Sequence, residues 1–192
     1  MKTITIKGTL RNDLGKKSSQ TLRNEGLVPC VMYGGDQPIH FCATTISFKQ
    51  AVYTPDFVKA NIELDGKEYP AIVKDVQFHP LSDKILHVDF LQLVSGKKVT
   101  VEVPVKVSGF AKGVQAGGKL EFKTKKVSVK TTADYLIDHI NLDITNLEMG
   151  KSIKVRELQV EGVEIMTPGN IPVVSISIPR AVRQAAEAAA KK

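Results

Sequence analysis

The chain has 192 residues, of which 42% are apolar; that is enough for a packed core, yet no apolar run approaches the ~20 residues that cross a bilayer. Two cysteines, Cys30 and Cys42, are too few for a disulfide framework and read as reduced thiols in a cytoplasmic core. The net charge of +7 is unevenly placed: six Lys/Arg face one acid in residues 1–23, nine Lys face two acids in residues 97–130, and the stretches 24–94 and 131–178 are net acidic. Two local basic segments suit docking on a defined polyanion better than coating one.

Taken in chain order, residues 3–10 alternate as a strand with Ile4 and Ile6 on one face, a pattern unlike the apolar core of a targeting signal. Gly15 to Gln20 is a polar loop, after which Ser18 or Ser19 is expected to cap a short helix through Leu22 to Glu25, closed by Gly26. Val28 to Tyr33 is a strand ending at Gly34-Gly35. Ser47 is placed to cap a second short helix, Phe48 to Val52, which must stop before Pro55. Val58–Leu64 and Glu68–Phe78 flank Asp65-Gly66, a two-residue hairpin signal, and Lys84 to Leu93 is a further strand.

Ser95-Gly96 punctuates the chain, so the expected domains are 1–94 and 95–179. In the second, Val99, Val101, Val103, Val105 and Val107 share a face, and Pro104 suggests an edge strand. Leu120–Lys130, Ile140–Ile144, Ser152–Val155 and Val173–Ile178 continue the strand pattern. Beyond Pro179 the Ala-rich residues 180–192 favour a frayed helical tail.

The expected class is therefore mainly β, and enzyme signatures are weak. Gly113 to Lys119 fits seven positions of a phosphate-binding loop, but Leu120 has no hydroxyl for Mg²⁺, and a strand follows where a helix N-terminus is needed. It reads as a turn. His40, His79, His87 and His139 lack metal-ligand spacing, so neither metal nor cofactor is expected. His87 and Asp89, two apart on a strand, present side by side; they suit a hydrogen-bonded structural pair, a polar recognition face, or a hydrolase histidine lacking a nucleophile.

Several blocks are specific as a set: Gly15-Lys16-Lys17-Ser18-Ser19, Leu22-Arg23, Val28-Pro29, Tyr33-Gly34, Gln77-Phe78-His79-Pro80 and His87-Val88-Asp89-Phe90. In the second half, Val103-Pro104, Gly113-Val114, Gly117-Gly118, Leu142-Asp143-Ile144 and Leu147 to Ile153 join them. Together they resemble the bacterial large-subunit ribosomal proteins that bind 5S RNA, in the long two-domain form called CTC or general stress protein. The resemblance implies a six-stranded N-terminal β-barrel with short helices, a second β domain, and a barrel that reads the minor groove of an irregular internal-loop helix of 5S RNA. It implies a non-catalytic, cytoplasmic and ribosome-associated role; a stress-related module acting on another RNA or protein is the alternative.

On that resemblance Arg11, Lys16, Lys17 and Arg23 would neutralise phosphates, and Ser19 would offer a hydroxyl to a phosphate or 2′-hydroxyl. Tyr33 would hydrogen-bond or stack, Gln77 would read a base edge, and Asp89 would accept from base N–H groups or orient His87. His79 suits a contact or a structural role equally. Where family members often carry an arginine-rich run before the Leu-Arg pair, this chain has Gln20 and Thr21, which shifts discrimination toward the polar face.

Overall fold

The computed structural model describes residues 1–160 and 162–179; the Ala-rich stretch 180–192 lies outside them. The chain divides into two compact units: Met1–Val101 with Thr131–Asp138, and Glu102–Lys130 with the chain from His139 onward.

The first unit holds β1 (Thr3–Leu10), α1 (Lys16–Asn24), β2 (Leu27–Tyr33), β3 (Ile39–Thr44), α2 (Lys49–Val52), β4 (Lys59–Leu64), β5 (Lys67–Phe78) and β6 (Ile85–Gln92). The strands close into a six-stranded barrel in the order β1-β3-β2-β6-β5-β4, so the mainly β class and the barrel both hold. Closure leaves no free edge. The ladder pairs are antiparallel except β1/β4 and β2/β6. Asp65 (φ 48°) and Gly66 (φ 77°) form the two-residue turn between β4 and β5 with both residues left-handed, as the hairpin signal predicts. Inward residues of alternate phase, among them Ile6, Met32, Phe41, Ile62, Val88 and Phe90, fill the interior. Phe48 enters from the 3-10 turn Thr45–Phe48, and its ring centroid lies 6.3 Å from that of Phe90; Phe41 is 5.7 Å from the same ring. Cys30 and Cys42 are free, and burial pushes the Cys30 thiol far up, so it stays protonated.

Three local expectations change. Strand β3 was not anticipated; Ile39 to Thr44 is short and carries His40 and Cys42 among its apolar residues. Helix α1 starts at Lys16 with Gly15 at its N-cap and no capping side chain; the Ser18 hydroxyl instead donates to the Asp13 carbonyl. The segment at Ser47 begins earlier, as a 3-10 turn, because the Ser47 hydroxyl pairs with that of Thr44 rather than capping.

The second half contains β7 (Lys98–Ser108), α3 (Lys112–Gln115), β8 (Lys119–Phe122), β9 (Lys126–Thr132), β10 (Ile140–Asp143), β11 (Ser152–Lys154), β12 (Glu164–Ile165) and β13 (Pro172–Ser177). They form a four-stranded sheet, β10-β7-β9-β12, and a three-stranded sheet, β11-β13-β8. The valine face of β7 is buried at Val99, Val101, Val103 and Val105, as its alternation predicts. However, β7 is an interior strand. Pro104 is tolerated there because the Val105 N–H donates toward Lys125. The proline nitrogen therefore faces the other side, where the β10 ladder begins only at Val105. The expected strand Leu120–Lys130 is two strands in different sheets, broken at Lys123–Lys125.

The glycine-rich segment after β7 is a packed turn. A Cβ on Gly113 would lie 2.5 Å from the Met149 backbone nitrogen, and one on Gly118 would lie 2.6 Å from the Gly113 carbonyl oxygen. Backbone cannot yield as a side chain does. Gly113→Ala is expected to cost about 1 to 3 kcal/mol, read as a lowered urea midpoint of the full chain. An unchanged midpoint would show that the loop adjusts freely.

Candidate nucleic-acid interface

Strand pairing assembles one polar face on the outside of the barrel. On β6, Val88 and Phe90 point inward, so His87 and Asp89 point outward. The adjacent strand β5 sets Gln77 opposite His87 and Asp75 opposite Asp89. On the other flank, β2 sets Val31 beside Asp89 and Tyr33 beside Leu91. Continuing across the barrel, Val31 faces His40 of β3, and the Arg11 amide donates to the His40 carbonyl at 3.0 Å. Arg11, His40, Val31, Asp89 and Asp75 therefore form one row over five strands or strand ends.

His87 and Asp89 pair as their spacing predicts: Nδ1 lies 2.7 Å from Oδ1, and both side chains are about a quarter exposed, at 24% and 28%. With Asp89 ionised, Nδ1–H donates to it, and Nε2 remains for a ligand. Burial first, and then the Asp89 and Asp75 carboxylates, push the Tyr33 hydroxyl above its ordinary range. Tyr33 is thus a neutral phenol at physiological pH, able to donate as well as accept.

Of the basic residues, Arg11 and Arg23 are tied to strands of this face. Helix α1 packs on β2, and the Arg23 Nε donates to the Leu86 carbonyl at 3.0 Å, tying the helix end to β6 directly beside His87. Its terminal nitrogens remain for a second partner. Lys16 and Lys17 open the helix and are exposed, while Ser19 is half-buried one turn in. Since no side chain caps this end, the first helical amides add their partial positive charge to the two lysines. In Arg11, Nε and one terminal nitrogen are shielded from water with no partner among the described residues. Leaving such donors unmade is costly, so the arrangement favours an acceptor brought by a ligand.

His79 stands apart. Its Nδ1 accepts from the amides of Leu81 and Ser82, both at 3.3 Å, and so staples the β5–β6 turn. Sequence reasoning missed His40 and Asp75. The sequence signal for His40 is the short alternation of β3. Among the described residues, no group of three or more His, Cys, Asp or Glu is placed to hold a metal ion.

Residues 6–90 match the model of the Ribosomal L25p family. Over its full length the chain is 41% identical to the whole of the large ribosomal subunit protein bL25 of Bacteroides fragilis. The chain belongs to the L25p family. Residues 98–180 match a second model, the C-terminal domain of ribosomal protein TL5. Large ribosomal subunit proteins bL25 of Phocaeicola vulgatus and Cytophaga hutchinsonii are each 42% identical, again with the whole of both chains covered. The L25p match ends at Phe90 of β6 and so takes in the whole polar face; the family's barrel and the candidate interface are the same stretch of chain.

Proposed function

We propose that this chain is a non-catalytic structural constituent of the large ribosomal subunit, cytoplasmic and ribosome-associated, whose barrel binds 5S ribosomal RNA on a minor-groove side. The observation that carries the reading is the outward array Tyr33, Gln77, His87 and Asp89, together with the cations Arg11, Lys16, Lys17 and Arg23, in a member of the L25p family. An RNA minor groove is wide and shallow and displays 2′-hydroxyls and base edges, so short polar side chains on a convex sheet reach it. The cations hold phosphates and set register; the polar array distinguishes sequence and shape. Residues 1–94 act as the RNA-binding domain and 95–179 as a second β domain.

The direct test is binding of the full chain to purified 5S RNA, together with co-sedimentation of the chain with large subunits from lysate. Failure of both would sink the proposal. A finer expectation concerns salt. The double variant Lys16→Gln/Lys17→Gln should reduce the slope of log affinity against log salt by about 1.4 to 1.8, since each lost phosphate contact removes roughly 0.7 to 0.9. A slope equal to that of the parent would remove both lysines from the interface.

A further inference from the structure

The acid–acid pair across β5 and β6 is the feature least expected of a surface that meets a polyanion. It arises from a bulge. Val73 and Val76 must both face the barrel interior, opposite Phe90 and Val88, yet they stand three positions apart along the chain, with Lys74 and Asp75 between them. Strict alternation forbids that spacing, so one residue leaves the ladder. The residue that leaves is Lys74, whose ammonium turns away to the Thr100 carbonyl at 3.0 Å. A regular ladder would have put Lys74 opposite Asp89, a favourable pair; the bulge puts Asp75 there instead. Like charges directly opposite one another on a sheet are destabilising. Asp75 is exposed, and no hydrogen bond or ion pair compensates it among the described residues.

We infer that Asp75 is a further specificity-determining residue of the RNA face, acting with Asp89 as a pair of acceptors for guanine 2-amino groups in the groove. The inference rests on the RNA reading above. In a minor groove guanine alone adds an amino donor to base edges that otherwise offer acceptors. Two adjacent carboxylates match such donors with charge-assisted hydrogen bonds and repel a phosphate misplaced onto the same spot. Gln77 and the His87–Asp89 pair on the same two strands supply the neighbouring contacts. The acids thus read, while Arg11, Lys16 and Lys17 hold.

The test compares the parent and Asp75→Ala, as full chains, against 5S RNA and against 5S RNA carrying single inosines in place of guanosines of its internal-loop helix. Inosine lacks only the 2-amino group. Asp75→Ala should weaken binding to unmodified 5S RNA about tenfold, leave the salt slope unchanged, and melt no lower than the parent. At least one inosine should weaken the parent by a similar factor and have no further effect on Asp75→Ala. If Asp75→Ala binds as tightly as the parent, or if every inosine penalty persists in it, the inference is overturned while the RNA face stands. If the parent itself does not bind 5S RNA, the RNA face falls and the inference with it.

Discussion

Phe90→Ala should strongly destabilise the barrel, lowering the unfolding free energy by about 3 to 5 kcal/mol. Phe90 is fully buried, and the rings of Phe41 and Phe48 pack on it from β3 and from the 3-10 turn that enters the interior. Truncation opens a cavity where three elements meet, and the closed barrel has no free edge along which to collapse into it. The loss is a large fraction of the roughly 5–15 kcal/mol total stability of an ordinary domain. Urea denaturation of the parent and variant, followed by far-ultraviolet dichroism, measures it; a midpoint shifted by less than the equivalent of 1 kcal/mol would contradict this view of the core. Because Phe90 follows Asp89 on β6, the same variant should lose RNA affinity through disorder of the face, with no contact of its own.

Asp89→Ala should do the reverse, keeping the fold and losing the ligand. Asp89 is on the outer face and partly hydrated, so its removal costs the core nothing, and water can satisfy the released His87 Nδ1. Affinity for 5S RNA at fixed, moderate salt should fall about ten- to a hundredfold, since the acceptor is lost and the imidazole is freed to rotate. Tyr33→Ala should lose somewhat less, through one phenol contact. Fluorescence anisotropy with labelled 5S RNA reads both, and the melting curve controls for folding. If both variants bind like the parent, the reading face lies elsewhere on the barrel. Unlike the lysine pair, neither variant should alter the salt slope, because neither residue neutralises phosphate.

Several strands and turns were legible beforehand, for identifiable reasons, while the closed barrel itself was implied only by the resemblance. Asp65-Gly66 announces its hairpin because only residues tolerant of left-handed backbone fit both turn positions. The valines of β7 announce their buried face through a period of two. His87 and Asp89 are two apart on a strand, so their contact is local geometry. What failed was equally physical. β3 is only six residues long and mixes His40 and Cys42 into its apolar positions, because one of its faces is the polar row. Ser18 and Ser47 resemble caps, but Ser18 lies inside α1 and donates to the Asp13 carbonyl, and the Ser47 hydroxyl pairs with that of Thr44. Pro104 signals an edge by its missing donor, yet an interior strand accepts it where the neighbouring ladder has not begun.

For the candidate site the division is sharper. Sequence alone named the cations around Lys16 and Lys17, the polar residues Tyr33, Gln77, His87 and Asp89, and, through the motifs in their order, a resemblance to 5S RNA-binding proteins. These are local properties: residue type, spacing along one strand, and charge along one segment. Only the tertiary structure placed Arg11 and His40 in the same row as Asp89, tied Arg23 to the backbone of β6, and set Asp75 against Asp89 through the Lys74 bulge. The reason is register. Alternation decides which face a side chain takes, but which residues of distant strands stand side by side is fixed by closing the barrel around one packed interior, and no single strand contains that information.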